Sequence, residues 1–404
     1  MIKRVAVGSL RPGMYVHDIG LGWLDHPFPF SHFALKTDDQ VSELLALGLQ
    51  TVLIDTSKGD DLQDAQTEEE ARADATAKLM LLAAEKPRPI REVSVGEEIA
   101  RAKQLHRRAG VVVRDIMRDV RLGKAVHAEN VAALVDDITE SVVRNSGALL
   151  SMLRLKNKDD YTFLHCVSVG TLMVTFGRSI GMEGEDLRQA GIGGFVHDVG
   201  KMKVPDAILN KPAKLTDHEF GVIRAHPSTG HAILRESSGV GDVPLDITLH
   251  HHERMDGRGY PEKLAAPDIS LLARMASIVD VYDAITSDRA YHKGMEPTEA
   301  LRRMMEWAEG GQLDAELLKR FIRCVGIYPT GTLVRLESGL LGVVTDQNAR
   351  ELLKPRVCVF FSAIDNLYVT PRAIDLAKTE GDRIVADEDP LKWGVDPGRF
   401  LVAA

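Results

Sequence analysis

Eight consecutive residues, Gly194-Phe195-Val196-His197-Asp198-Val199-Gly200-Lys201, set a nitrogen donor, a carboxylate and a cation at one point of the backbone. The two oxygens of Asp198 allow it to touch two metal ions at once. Gly200 frees the turn, and Lys201 brings its ammonium to the same place. Alone, this octad is a weak sign of metal and phosphate chemistry. It gains weight from the donors that can close around it: His165 upstream, and His226, His251, His252 and Asp280 downstream. Nine of the 14 histidines fall between positions 165 and 292, which directs attention to the middle of the chain.

Such a set is rich in imidazole and poor in carboxylate. Imidazole suits Fe, Mn, Zn, Ni or Co, whereas Mg and Ca prefer oxygen shells, so a transition-metal site is expected. A bridging Asp198 would hold two ions roughly 3.5–4 Å apart. Two divalent ions against two carboxylates leave a net charge of about +2, which attracts a phosphodiester and stabilises its more negative transition state. A water bridging the pair would be acidified toward a pKa of about 7, and the resulting hydroxide is a nucleophile at neutral pH. No serine or cysteine nucleophile is required. Successive helical residues point about 100° apart, so His250, His251 and His252 cannot all face one site. His250 is assigned a structural role, as are His218 and His231.

The elements that position these donors read as a helical bundle. Helices are expected over 161–180, 186–196, from 216 to about 226, over 245–252, and over 270–287 with Asp280 in the middle. Thr216 and Glu219 have capping-box spacing, and Pro227 stops that helix near His226. Ahead of the bundle, residues 1–60 read as a small mixed α/β regulatory domain, and residues 61–155 as an acidic linker followed by two long amphipathic helices. Those helices are equally suited to pairing with a second subunit, giving a homodimer, and to packing within the chain. The site-bearing domain spans 156–330. Residues 331–404 read as a small β-rich appendage of four short strands. The fold class is therefore mainly α, with a mixed N-terminal domain and a β-rich C-terminus.

The bulk numbers bound the rest. A chain of 404 residues with a formal charge of −9 is expected to hold more than one domain. Its acidity argues against nucleic-acid polymers and membrane surfaces as partners. The N-terminus has no signal-peptide pattern, and no window reaches the ~18 apolar residues of a membrane span. Cys166, Cys324 and Cys358 are isolated, as expected of core thiols in a reducing cytoplasm.

The sequence resembles the HD-GYP branch of the HD phosphohydrolase superfamily. The resemblance runs through roughly 155–330 and rests on His165, His197-Asp198-Val199-Gly200-Lys201, His226-Pro227, the run from His251-His252-Glu253 to Gly259-Tyr260-Pro261, and Asp280-Val281-Tyr282-Asp283 to Arg289. Residues 1–60, with Gly13-Met14-Tyr15-Val16-His17 and His26-Pro27-Phe28, resemble the small domain of unknown role ahead of some HD-GYP modules. The resemblance implies a bacterial cyclic di-GMP phosphodiesterase that opens the dinucleotide to linear pGpG and can continue to GMP. By motif position it makes His165, His197, Asp198, His226, His251, His252 and Asp280 the ligands of two divalent ions, Fe or Mn first. Lys201 would contact a phosphate and assist catalysis beside Asp198, and Arg289 would help hold the ligand. The Gly259-Tyr260-Pro261 loop would shape the rim, place Tyr260 against substrate, and offer a docking point for diguanylate cyclase (GGDEF) domains.

Two departures sharpen these expectations. Tyr161 stands where some members carry a Glu that binds a third metal, so two ions are expected. His292, followed by Lys293, stands where a basic residue often contacts ligand, so ligand affinity is expected to differ. The competing readings are a non-catalytic cyclic di-GMP sensor or scaffold, and an HD hydrolase of another cyclic dinucleotide or a nucleoside phosphate.

Overall fold

The computed structural model describes residues 1–19, 32–47, 49, 51–62, 65, 67, 70, 93–153, 161–211, 213, 215–288, 293–348, 350–379 and 381–401. The aromatic loop around His26, most of the acidic linker, Arg289 and His292 lie outside the described residues.

At the N-terminus, β1 (Ile2–Ala6), β2 (Tyr15–Asp18), β3 (Phe33–Ala34) and β4 (Thr51–Asp55) form an antiparallel sheet in the order β1-β4-β2-β3. Alternating Val5, Val16, Val52 and Ile54 face α1 (Asp38–Ala46), which contributes Leu44 and is N-capped by Thr37. Two ion pairs fasten this sheet to the following domain: Arg4 with Glu306, and Arg303 with Asp18 at 2.7 Å.

Next come α2 (Val95–Arg121) and α3 (Ala128–Leu153). A Ser94/Glu97 capping box starts α2. The apolar stripes of both helices, including Val113, Met117, Leu134, Val135 and Ile138, are buried within the chain. Asn145 breaks α3 with φ −165° and ψ 104°, and its side chain bonds Val93 O and Gly147 N at 2.8 and 2.9 Å. Nothing in the apolar spacing around position 145 announces this kink.

The site-bearing bundle consists of α4 (Tyr161–Ser179), α5 (Gly184–Val196), the short α6 (Asp206–Leu209), α7 (Asp217–Arg224), α8 (His226–Arg235), α9 (Asp242–His250), α10 (Leu271–Thr286), α11 (Pro297–Glu309) and α12 (Ala315–Val325). The Thr216/Glu219 capping box is formed as its spacing predicts. Phe176, Met275, Ile278, Leu301, Met304 and Phe321 bury the core of α4, α10, α11 and α12.

Five antiparallel strands close the chain in the order β8-β7-β6-β5-β9: β5 (Leu333–Leu336), β6 (Leu340–Asp346), β7 (Arg356–Ser362), β8 (Leu367–Asp375) and β9 (Ile384–Asp387). The last of these is missing from the sequence reading. It is four residues long and sits among charged residues, and its pairing with β5 comes from far along the chain. The sheet is built into the helical core, since Leu333, Leu341, Val343 and Phe360 join the cluster that buries α2 and α3. Phe400 stacks on Phe360 at 4.0 Å, after the terminal helix α13 (Pro390–Trp393). The three cysteines form no disulfide. Among the described residues, no helix is long and apolar enough to cross a membrane.

Candidate metal centre

Helix ends deliver most of the donors. His197 is the C-cap of α5, and Asp198 opens the 3-10 turn Val199–Lys203. That turn lies against the start of α8, where a Cβ on Gly200 would meet His226 O at 2.0 Å and Gly230 N at 2.6 Å. Only glycine lets the two backbones approach this closely. His226 begins α8 because Pro227 ends the preceding helix and occupies the first turn of the new one. His251 caps α9 and His252 follows it, while His165 projects from α4 and Asp280 from α10.

The structure brings the seven expected donors together at one buried place. One group comprises His165, His197 and Asp280, a second His226, His251 and His252, and Asp198 joins His197 to His251 between them. The two oxygens of Asp198 are divided accordingly. Oδ2 lies 3.6 Å from His165 Nε2 and 3.5 Å from His197 Nε2. Oδ1 lies 3.2 Å from His226 Nε2 and 3.8 Å from His251 Nε2. Asp280 Oδ1 is 2.9 Å from His165 Nε2 and 3.5 Å from His197 Nε2.

The outer nitrogens fix the inner ones. Nδ1 of His197 donates to Gly194 O at 2.9 Å, Nδ1 of His226 to Ile223 O at 2.8 Å, and Nδ1 of His251 to Thr248 O at 3.0 Å. A carbonyl only accepts, so in each neutral ring Nε2 turns a lone pair inward. The Nε2 atoms of His226 and His251 stand 3.3 Å apart. His197 Nε2 and Asp198 Oδ1 are buried and make no hydrogen bond. Lone pairs crowded around a carboxylate oxygen repel each other unless a cation lies among them, so the donor set fits divalent metal.

Electrostatics agree. Burial holds His226 below the ordinary imidazole range, and holds His251 and His252 well below it with help from neighbouring rings. These are neutral imidazoles, the form that ligates metal. Burial would raise Asp198, but its neighbours, foremost the Lys201 ammonium, outweigh it and keep the carboxyl well below the usual range. Burial would lower Lys201, but Asp198 and Asp280 raise it. Its Nζ donates to Asp198 Oδ2 at 2.6 Å.

Several expected neighbours have definite places. His250 points away from the cluster, bonding Asp246 at 2.7 Å. Tyr260 stacks on His252 with ring centroids 4.7 Å apart. Lys293 pairs with Asp389 at the start of α13. One residue was missed as a participant: Asp283 Oδ2 accepts from His165 Nδ1 at 2.7 Å. Its position three residues after Asp280, on the same face of α10, was the signal available.

The domain of unknown function DUF3391 matches residues 2–131, and the HD domain matches residues 142–317. A cyclic di-GMP phosphodiesterase of Pseudomonas aeruginosa is 46% identical over 395 residues, 97% of this chain and 94% of its own length. A cyclic di-GMP phosphodiesterase of Thermotoga maritima is 33% identical over 43% of this chain and 47% of its own. A 3'3'-cGAMP-specific phosphodiesterase of Vibrio cholerae is 32% identical over 41% of this chain and 38% of its own. Among solved structures, an HDG"Y"P protein from Bdellovibrio bacteriovorus aligns over 80% of this chain and 98% of its own, at 16% identity and a TM-score of 0.46. The chain belongs to the family of HD-domain cyclic di-GMP phosphodiesterases.

Proposed function

We infer that this protein is a metal-dependent cyclic di-GMP phosphodiesterase that hydrolyses the dinucleotide to pGpG and can continue to GMP. The observation that carries the reading is Asp198, whose two oxygens face two separate groups of imidazole nitrogens. His165, His197, Asp198 and Asp280 would hold one ion, and Asp198, His226, His251 and His252 the other. The imidazole-rich shell suits a divalent transition metal; the family resemblance favours Fe or Mn, with Zn, Ni and Co as alternatives. Tyr161 supplies no carboxylate for a third. When bound, divalent ions neutralise phosphate charge and lower the pKa of water at the site.

The chain's own residues then act on the substrate. With Asp198 and Asp280 as the two carboxylates among the seven donors, two divalent ions would leave the set a net charge of about +2, which favours entry of a phosphodiester. Lys201 supplies the cation closest to Asp198, and its ammonium faces the phosphate and balances charge on the departing oxygen. Tyr260 forms part of the rim against the ligand, and Arg289 helps hold it. The Gly259-Tyr260-Pro261 loop offers a surface for a diguanylate cyclase domain. The apolar faces of α2 and α3 are already occupied within the chain, so a homodimer would use other surfaces.

A substrate panel tests the reading. Protein loaded anaerobically with Mn or Fe is incubated with cyclic di-GMP, 3'3'-cGAMP and pGpG, and products are resolved by chromatography. Turnover of cyclic di-GMP ahead of 3'3'-cGAMP is expected. Tight binding of cyclic di-GMP without product would replace the enzyme with a sensor, and preference for 3'3'-cGAMP would change the substrate.

A further inference from the structure

Four of the five clustered histidines are steered by a hydrogen bond from Nδ1, three to backbone carbonyls and His165 to Asp283. His252 is the exception. Among the described residues its ring makes no hydrogen bond, and its Nδ1 lies 3.9 Å from Asp280 Oδ2. It is also the most exposed of the five, with 18% of its side chain accessible. A ligand ring with no such partner needs something else to fix its plane.

We propose that Tyr260 and Arg224 form a stacking clamp that positions His252 for the second metal ion. The proposal rests on the metal centre described under the proposed function. Tyr260 lies nearly parallel to the His252 ring, at 27° and 4.7 Å. The Arg224 guanidinium sits over the Tyr260 ring, 4.5 Å from its centroid. Arginine and histidine thus both pack on the Tyr260 ring. Arg224 also lies 5.6 Å from the Phe220 ring, one turn back along α7, which anchors the outer end of the stack. Cation–π attraction to the two aromatic rings holds the guanidinium in place.

The backbone locks the same pair of residues. Tyr260 N donates to His252 O at 3.2 Å, which folds the loop back onto the ligand that opens it. Gly259 makes this fold-back feasible, since a Cβ there would meet Arg254 N and Glu253 Cα at 2.5 Å. Glu253 Oε1 holds the far side of the loop by accepting from Glu262 N at 2.7 Å. The tyrosine of the loop thus acts on the metal centre through His252, in addition to any contact with ligand at the rim. Tyr260 and Arg224 are positioning residues in this scheme.

The test is stepwise Mn binding to the full chain, followed by calorimetry and metal analysis, with circular dichroism to verify folding. Wild type is expected to bind two ions per chain. Tyr260→Phe keeps the stacking face and should match it. Tyr260→Leu should weaken the second ion about 10–100-fold, the range for loss of an outer-shell partner, and leave the first unchanged. Arg224→Ala should weaken the same ion several-fold, and Arg224→Lys should recover part of the loss. A folded Tyr260→Leu protein that binds both ions as wild type does, or loses both equally, overturns the clamp. Wild type that binds two ions with this selectivity but leaves cyclic di-GMP intact keeps the clamp and removes only the substrate assignment. Wild type that binds no ion overturns both.

Discussion

Asp283 accepts a hydrogen bond from Nδ1 of His165 at 2.7 Å, while Asp280, one turn earlier on the same helix, meets Nε2 of that ring at 2.9 Å. The imidazole is therefore held from both ends by α10. Burial would lower its pKa, but Asp280 and Asp283 raise it, because both carboxylates favour the charged ring.

Replacing Asp283 with alanine should loosen that ring without removing a ligand. Affinity for metal is expected to fall about 10–100-fold, with a smaller loss for Asp283→Asn, which still accepts through its carbonyl. Metal titration followed by elemental analysis checks this. Unchanged affinity in Asp283→Ala would remove the orienting role.

Lys201 is expected to separate catalysis from metal binding. Its ammonium reaches Asp198 at 2.6 Å and is not a metal donor itself. Lys201→Met should lower kcat about 10²–10³-fold, the scale for losing one charge-stabilising group, with metal content preserved. Parallel kinetics and metal counts distinguish this from collapse of the centre.

The contact behind Gly200 makes a structural prediction. Alanine there puts a Cβ 2.0 Å from His226 O, so the turn carrying Asp198 or the start of α8 must move. Gly200→Ala should cost about 2–4 kcal/mol in chemical denaturation and reduce metal binding through displaced His226. A variant with wild-type stability would show that the turn is less tightly seated.

Glu98 contributes to the acid side of stability. It joins α2 to α3 by accepting from Ser141 Oγ at 2.7 Å and from Arg144 at 2.9 and 3.0 Å. Burial would raise its pKa, but Arg144 and Ser141 lower it. A depressed carboxyl stabilises the fold above its unfolded pKa, about 4.3, and loses that contribution as pH falls through the lower folded value. Glu98→Gln should therefore cost about 1–3 kcal/mol at pH 7, and the gap to wild type should narrow in denaturation curves below about pH 4. A gap that stays constant with pH would assign the loss to packing instead.

Much of the site was legible because its donors are marked by adjacency. His197-Asp198 and His251-His252 stand out as pairs, and Pro227 marks the end of the helix before His226, although the further helix that His226 opens was not in the sequence reading. Asp283 stood in the same motif but had no assigned role, since its partner on α4 depends on how two distant helices face each other. The stack of Arg224 on Tyr260 was hidden for the same reason: residues 36 positions apart become neighbours only when the loop folds back. The kink at Asn145 and strand β9 escaped because each is set by tertiary hydrogen bonds rather than by local apolar spacing.

We propose Asp198 as the residue that would hold both metal ions of a centre that cleaves cyclic di-GMP. Wild type and Asp198→Ala, prepared anaerobically with Mn or Fe, should be assayed together for metal per chain and for cyclic di-GMP cleavage. The account predicts two ions per chain with pGpG and GMP as products in wild type, and joint loss of metal and product in the variant. An Asp198→Ala protein that retains both ions and cleaves cyclic di-GMP would contradict it.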